Sequence, residues 1–147
     1  MPTLVTNHAY NFNHTADADF GYIYLLSATT GDIYRLDPAA YTDEDGPIKV
    51  LIRTNKYDMD TYNRKFPTSI RVVGDRYPTN DFNFVNLSWT DDDFQTWSNP
   101  KSIYLTDDFP TFSRLGSFRR RAWKIEHDLD KPLRLESLEV VYEEGTS

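Results

Sequence analysis

The sequence predicts an all-β protein, an antiparallel β-sandwich preceded by an N-terminal β-hairpin. Aromatic residues make up 15% of the chain, with Tyr 10, Phe 9 and Trp 3. Such side chains suit a pleated, half-buried surface. Short segments alternate apolar and polar residues, and a helical period holds over no long window. Clusters of Asp, Asn, Gly, Pro and Thr separate these segments, as turn-joined strands require.

Residues 1–19 are polar and aperiodic, and read as an extended arm or disordered leader. Residues 20–46 hold a hairpin and a loop, and residues 47–147 form the sandwich domain. In the hairpin, Tyr22–Ala28 and Ile33–Leu36 flank Thr29–Asp32, where Gly31 supplies the positive φ of a tight turn. Asp37-Pro38 ends the ladder, because proline cannot continue it. A short helical turn is expected at Pro38–Tyr41, followed by a loop of turn formers over Thr42–Pro47.

The first sandwich strand is Ile48–Thr54, with Ile48, Val50 and Ile52 on one face. After a polar connector over 55–65, Phe66–Gly74 places Phe66, Thr68, Ile70 and Val72 together. Phe82–Trp89 puts Val85, Leu87 and Trp89 on one face and Phe82 and Phe84 on the other. Short strands follow at Ser102–Leu105 and Phe112–Leu115. In Arg119–His127, the face of Arg121, Trp123 and Ile125 opposes that of Arg120, Ala122, Lys124 and Glu126. The last strand, Leu133–Tyr142, changes phase between Leu135 and Leu138. One extra residue at Glu136 or Ser137 restores the inward face, so a β-bulge is expected there.

A length of 147 residues allows one domain with its own core. The formal net charge of −7 disfavours nucleic acid and acidic membrane surfaces as general partners. The absence of cysteine excludes disulfides, thiolate catalysis and cysteine-held zinc. Met1–Tyr10 lacks the basic start and apolar run of a signal peptide, and no apolar run is long enough to span a bilayer.

The most specific pattern is Thr90-Asp-Asp-Asp-Phe-Gln-Thr-Trp97, which resembles the Asp-box of sialidases and related β-propellers. Thr90, Asp92, Thr96 and Trp97 fill its slots, and Phe94 stands where that box has glycine. The expected role is structural: Asp92 bonds N–H groups across a hairpin turn and Trp97 packs beneath it. Acidic clusters at Asp43–Asp45, Asp91–Asp93 and Asp107-Asp108 read as solvated turns, because a calcium cage needs six or more converging oxygens. No metal, cofactor or catalytic residue is assigned. His8, His14 and His127 lack a positioned partner and read as surface or interface residues. Arg119-Arg120-Arg121 is the one basic run. A structural ion pair, a subunit contact and a DNA phosphate contact are its three readings, and Arg121 is expected to stack or pair with a carboxylate. With Tyr10, Phe12 and Phe20 of the arm, these arginines are the interface candidates.

Several segments in order, Asn63–Phe66, Ile70–Asp75, Leu87–Ser98, Arg114–Trp123 and Leu133–Glu139, resemble the C-terminal part of tailed-phage tail proteins. Within these, the chain is similar over about residues 20–142 to the packaged-DNA stabilisation proteins, tail hub or nozzle subunits of short-tailed phages. Gly21–Asp37 resembles one hairpin of a last propeller blade. A propeller cannot close from one hairpin. Either this is a fragment, or the other blades lie on another polypeptide and this hairpin completes a neighbour's sheet. The resemblance implies a homo-oligomeric ring in the virion tail, assembled in the host cytoplasm. Its partners would be tail or connector proteins, with DNA near in the channel and no catalytic residues. A carbohydrate-binding module using Tyr62 or Tyr77 is the alternative, and a hydrolase using Asp92 is a third reading.

Overall fold

The computed structural model describes residues 12–17, 23–27, 30–43, 46–76 and 82–146. Among them there is no helix, and every sheet is antiparallel. The chain divides into two compact units, Met1–Ile48 and Lys49–Ser147.

In the first unit, β1 (Phe12–Asp17), β2 (Ile23–Ser27) and β3 (Ile33–Leu36) form a sheet in that order. The β2–β3 hairpin is the predicted one. Gly31 takes φ 80° in its turn, and Ser27 N donates to the Asp32 carbonyl at 2.9 Å. Part of the predicted arm is a strand: Asp17 pairs with Ile23 and Phe12 with Ser27. Backbone pairing needs no apolar period, so a polar run can fill a sheet edge unannounced. Pro38–Tyr41 makes no helical turn. Ala40 N donates to the Asp37 carbonyl at 3.1 Å, and the Asp37 carboxylate caps Ala39 N at 3.0 Å, a single β-turn. The expected loop at Thr42–Pro47 closes into a small ladder of β4 (Thr42–Asp43) and β5 (Gly46–Pro47).

The second unit stacks two sheets. One has the order β10 (Thr111–Phe112), β7 (Lys65–Gly74), β12 (Leu135–Glu144). The other has the order β6 (Val50–Arg53), β11 (Ala122–His127), β8 (Phe84–Thr90), β9 (Lys101–Tyr104). Ile70 and Val72 of β7, Val85 and Leu87 of β8, and Trp123 and Ile125 of β11 form the shared core. Leu115 and Phe118 join it from the loop between β10 and β11; the short strand expected over Phe112–Leu115 stops at Phe112, and the one expected from Arg119 starts at Ala122. Leu135, Leu138 and Val140 pack against it from β12.

The predicted bulge is present. Leu135 pairs with Gly74 and Ser137 with Val73, so Glu136 is the extra residue. A second bulge was not expected. Val141 faces Ser69 and Tyr142 faces Pro67, which leaves Thr68 unpaired on β7. It reverses the phase of the strand's first half. Phe66 is therefore 45% exposed, against the expectation that it points inward, and Lys65 and Pro67 are buried in its place. The Lys65 ammonium is held by the carbonyls of Thr61 and, at 3.2 Å, Arg119.

Candidate functional site

The acidic run after β8 lies in a folded hairpin loop, and each of its three carboxylates is already engaged. The Asp92 carboxylate accepts from Thr90 Oγ1 at 2.7 Å, Thr96 N at 2.9 Å and Thr96 Oγ1 at 2.5 Å. This is the expected brace across the turn. Asp93 and Phe94 adopt φ 60° and 68°, so Phe94 carries the left-handed conformation at the place where the Asp-box has glycine. Its ring lies 6.1 Å from that of Trp97. Trp97 is half-buried, with Arg53 5.8 Å and Lys124 5.2 Å from its ring centre. The loop returns to β8 through Ser98, whose N donates to the Trp89 carbonyl at 2.8 Å.

Hydrogen bonds from Thr96, with a further one from Thr90, hold the Asp92 carboxyl at about 2, below its ordinary 3.8. A carboxylate with a lowered folded pKa stabilises the fold above the unfolded value, and that contribution fades as pH falls through the folded one. Asp92→Asn is therefore expected to flatten the stability curve between 3.8 and about 2. Acid titration of the unfolding midpoint tests this. An unchanged slope in the variant would discount the brace.

Asp93 receives Lys56 Nζ at 2.5 Å and Arg120 Nη2 at 3.0 Å, and Lys56 foremost holds its carboxyl below the usual range. Asp91 pairs with Arg121 through two bonds, 2.6 Å from Nε and 2.7 Å from Nη2. The Arg121 guanidinium also donates to the Leu115 carbonyl at 2.5 Å. It lies 4.5 Å from the Phe118 ring centre, 5.1 Å from Trp89 and 5.2 Å from Trp123. Arg121 is only 2% exposed. It both stacks and pairs as expected, but this burial removes it from the interface candidates. Arg120 and Arg119 are exposed, and Arg119 donates to the Tyr62 carbonyl at 2.8 Å with its guanidinium over the Tyr62 ring.

Phe12 opens β1, and Tyr10 and Phe20 lie outside the described residues, as do His8, Glu44 and Asp45. Asp108 pairs with Arg76 at 3.1 Å. His127 is not a surface residue. It is buried, with Nε2 2.8 Å from Asn83 Oδ1. Strand parity could have placed it: residue 127 alternates inward with 121, 123 and 125.

Two surfaces remain that the residue patterns did not delimit. Phe82, Phe84 and Tyr104 meet edge to face, with ring centres 5.4 to 6.0 Å apart, and Phe82 is 66% exposed. On the far side of the sandwich, between terminal strands β6 and β12, lies an open groove of about 490 Å³. Ile52, Met59, Trp123, Ile125, Leu138 and Val140 line it. On the opposite faces of the same two strands, Leu51 and Val141 are exposed. Comparison with protein families finds no family model that matches the chain, and comparison with curated proteins finds no match either.

Proposed function

We propose that the chain is a structural subunit of a phage tail hub or nozzle, which holds neighbouring tail proteins rather than carrying out chemistry. The observation that supports this best is the open side of the sandwich. β6 and β12 each end a sheet, and an uncharged apolar groove separates them. An open strand edge bordered by exposed apolar residues is a liability in a solitary protein and an asset in an assembly. The charged clusters point the same way, since Asp91, Asp92 and Asp93 are consumed in bracing the loop and not converged on a substrate. The resemblance of Leu87–Ser98 and Arg114–Trp123 to tail hub proteins is what suggests a phage tail as that assembly.

The test is the mass of the purified protein, alone and mixed with tail and portal proteins of the same phage. Assembly is expected in one or both. Ile52→Lys is expected to prevent it while leaving the β-sheet circular dichroism intact. Ile52 is already half open to water, so lysine is cheap to the monomer and costly in a covered groove. A persistent monomer that captures no tail component would remove this reading. The carbohydrate-binding alternative then gains from Tyr62, which is 82% exposed, if glycan binding appears and is lost in Tyr62→Ala.

A further inference from the structure

β12 is a ten-residue strand without proline, and among the described residues β7 is its only partner. Two backbone bonds show which of its groups face the open side. Val72, the partner of Leu138, turns its N–H away from β12 to the Pro110 carbonyl at 2.9 Å, and Gly145 N turns inward to the Arg64 carbonyl at 2.8 Å. Such directions alternate along an antiparallel ladder. The Thr68 bulge lies on β7, so the alternation runs unbroken along β12 from Leu138. The N–H and C=O groups of Leu138, Val140 and Tyr142 therefore lie on the open edge. Their side chains share the inward face, where Leu138 and Val140 line the groove.

We infer that a second copy of the chain occupies this edge, its β12 antiparallel to the first about a two-fold axis at Val140. The register follows from the strand's own sequence. With Val140 opposite its counterpart, Leu138 meets Tyr142, and all three inward side chains gain apolar or aromatic partners. On the outward face Glu139 meets Val141 and Glu143 meets Ser137, and the Glu136 bulge ends the ladder before Glu136 reaches Glu144. Centring on Glu139 sets it against its counterpart, and centring on Val141 sets Glu139 against Glu143, where like charges repel. Centring on Tyr142 sets Leu138 against Thr146, and centring on Leu138 runs Val140 into the bulge. The glutamates beside the ladder are also held within their own subunit: Glu139 by Arg71 at 2.5 Å, Glu136 by Arg134 at 3.3 Å and Glu144 by Asn63 at 2.9 Å. Pairing joins two three-stranded sheets into one, with both grooves on the same side of it and open towards the axis. This deepens the assembly reading and rests on it, since the same edge and groove are the contact. A two-fold contact closes on itself, so a ring or larger assembly must use another surface.

The chain has no cysteine, so single cysteines report the register. Glu139→Cys and Val141→Cys both lie on the outward face of β12. Across the axis each faces the other at a non-hydrogen-bonded position, with Cα atoms about 4.5 Å apart and within disulfide reach. Like positions lie on the diagonal, about 7–8 Å apart. Mixing the two full-length variants in a glutathione redox buffer is expected to give mainly the mixed disulfide, with little from either variant alone. Sedimentation of the parent is expected to show a dimer at high protein concentration, in salt that screens the repulsion between copies of net charge −7. Val140→Pro is expected to be monomeric with its β-sheet circular dichroism kept, because the lost N–H faces outward. If that variant folds poorly, the cysteine pair decides. Equal yields of mixed and like disulfides, or a parent that stays monomeric throughout, overturns the pairing. A monomeric parent whose capture of tail proteins is lost in Ile52→Lys overturns the pairing but leaves the assembly reading standing, whereas a monomer that captures nothing removes both.

Discussion

Arg121→Ala is expected to destabilise the Lys49–Ser147 unit by about 3–5 kcal/mol, enough to leave it largely unfolded at moderate urea concentrations. Three losses coincide. The paired charge network goes, including the two bonds to Asp91 and the one to the Leu115 carbonyl. The Leu115 carbonyl is then left with a buried acceptor and no donor, at about 1–3 kcal/mol. A void also opens among Phe118, Trp89 and Trp123, whose rings now close around the guanidinium. Arg121→Met separates these effects. Its unbranched stem refills the space, and the released Asp91 is partly open to water, 43% exposed at its side chain. The methionine variant should therefore recover a clear part of the loss. Urea unfolding followed by tryptophan fluorescence measures both, since two of the three rings are indoles. An alanine variant within about 1 kcal/mol of the parent would show that the cage does not hold the fold.

The arginine illustrates how far residue patterns reach. Parity on the β11 segment places Arg121 on the inward face beside Trp123, and a buried guanidinium must then have a carboxylate. Which carboxylate is not readable, because Asp91 lies 30 positions away in a loop whose path depends on the Asp92 turn. The turn itself is legible: a Thr, Asp and Thr at fixed spacing can close only by bonding one another. Phe94 shows the limit in the other direction, since the brace holds a left-handed φ that its own side chain does not favour. The strand phases follow the same division. The Glu136 bulge is visible because leucines and a valine must stay inward on both sides of it. The Thr68 bulge is hidden, because Phe66 makes the wrong phase look the more apolar. The groove is least legible of all. Its lining comes from β6, the connector that follows it, β11 and β12, and its openness is a matter of sheet order rather than of any residue.

Gly74→Ala is expected to cost about 2–4 kcal/mol, more than alanine at Gly116, whose positive φ marks it as special. Gly74 ends β7 opposite Leu135, beside the Glu136 bulge. The bulge kinks β12 towards β7, and a Cβ on Gly74 would lie 2.1 Å from the Arg134 carbonyl oxygen and 3.2 Å from its carbon. Both are backbone atoms, so no side-chain rotation relieves the overlap. The strands must part, which strains the Leu135 pairing and the bond from Asp75 N to the Arg134 carbonyl at 3.2 Å. Gly116, in the same unit, has φ 68° with open space where a Cβ would go. Alanine there meets only the left-handed penalty, about 1–2 kcal/mol. Urea unfolding of the two variants should thus rank Gly74→Ala as the more destabilising. The opposite order would mean that β7 and β12 separate easily at the bulge, and that the edge bordering the groove is softer than its hydrogen bonds suggest.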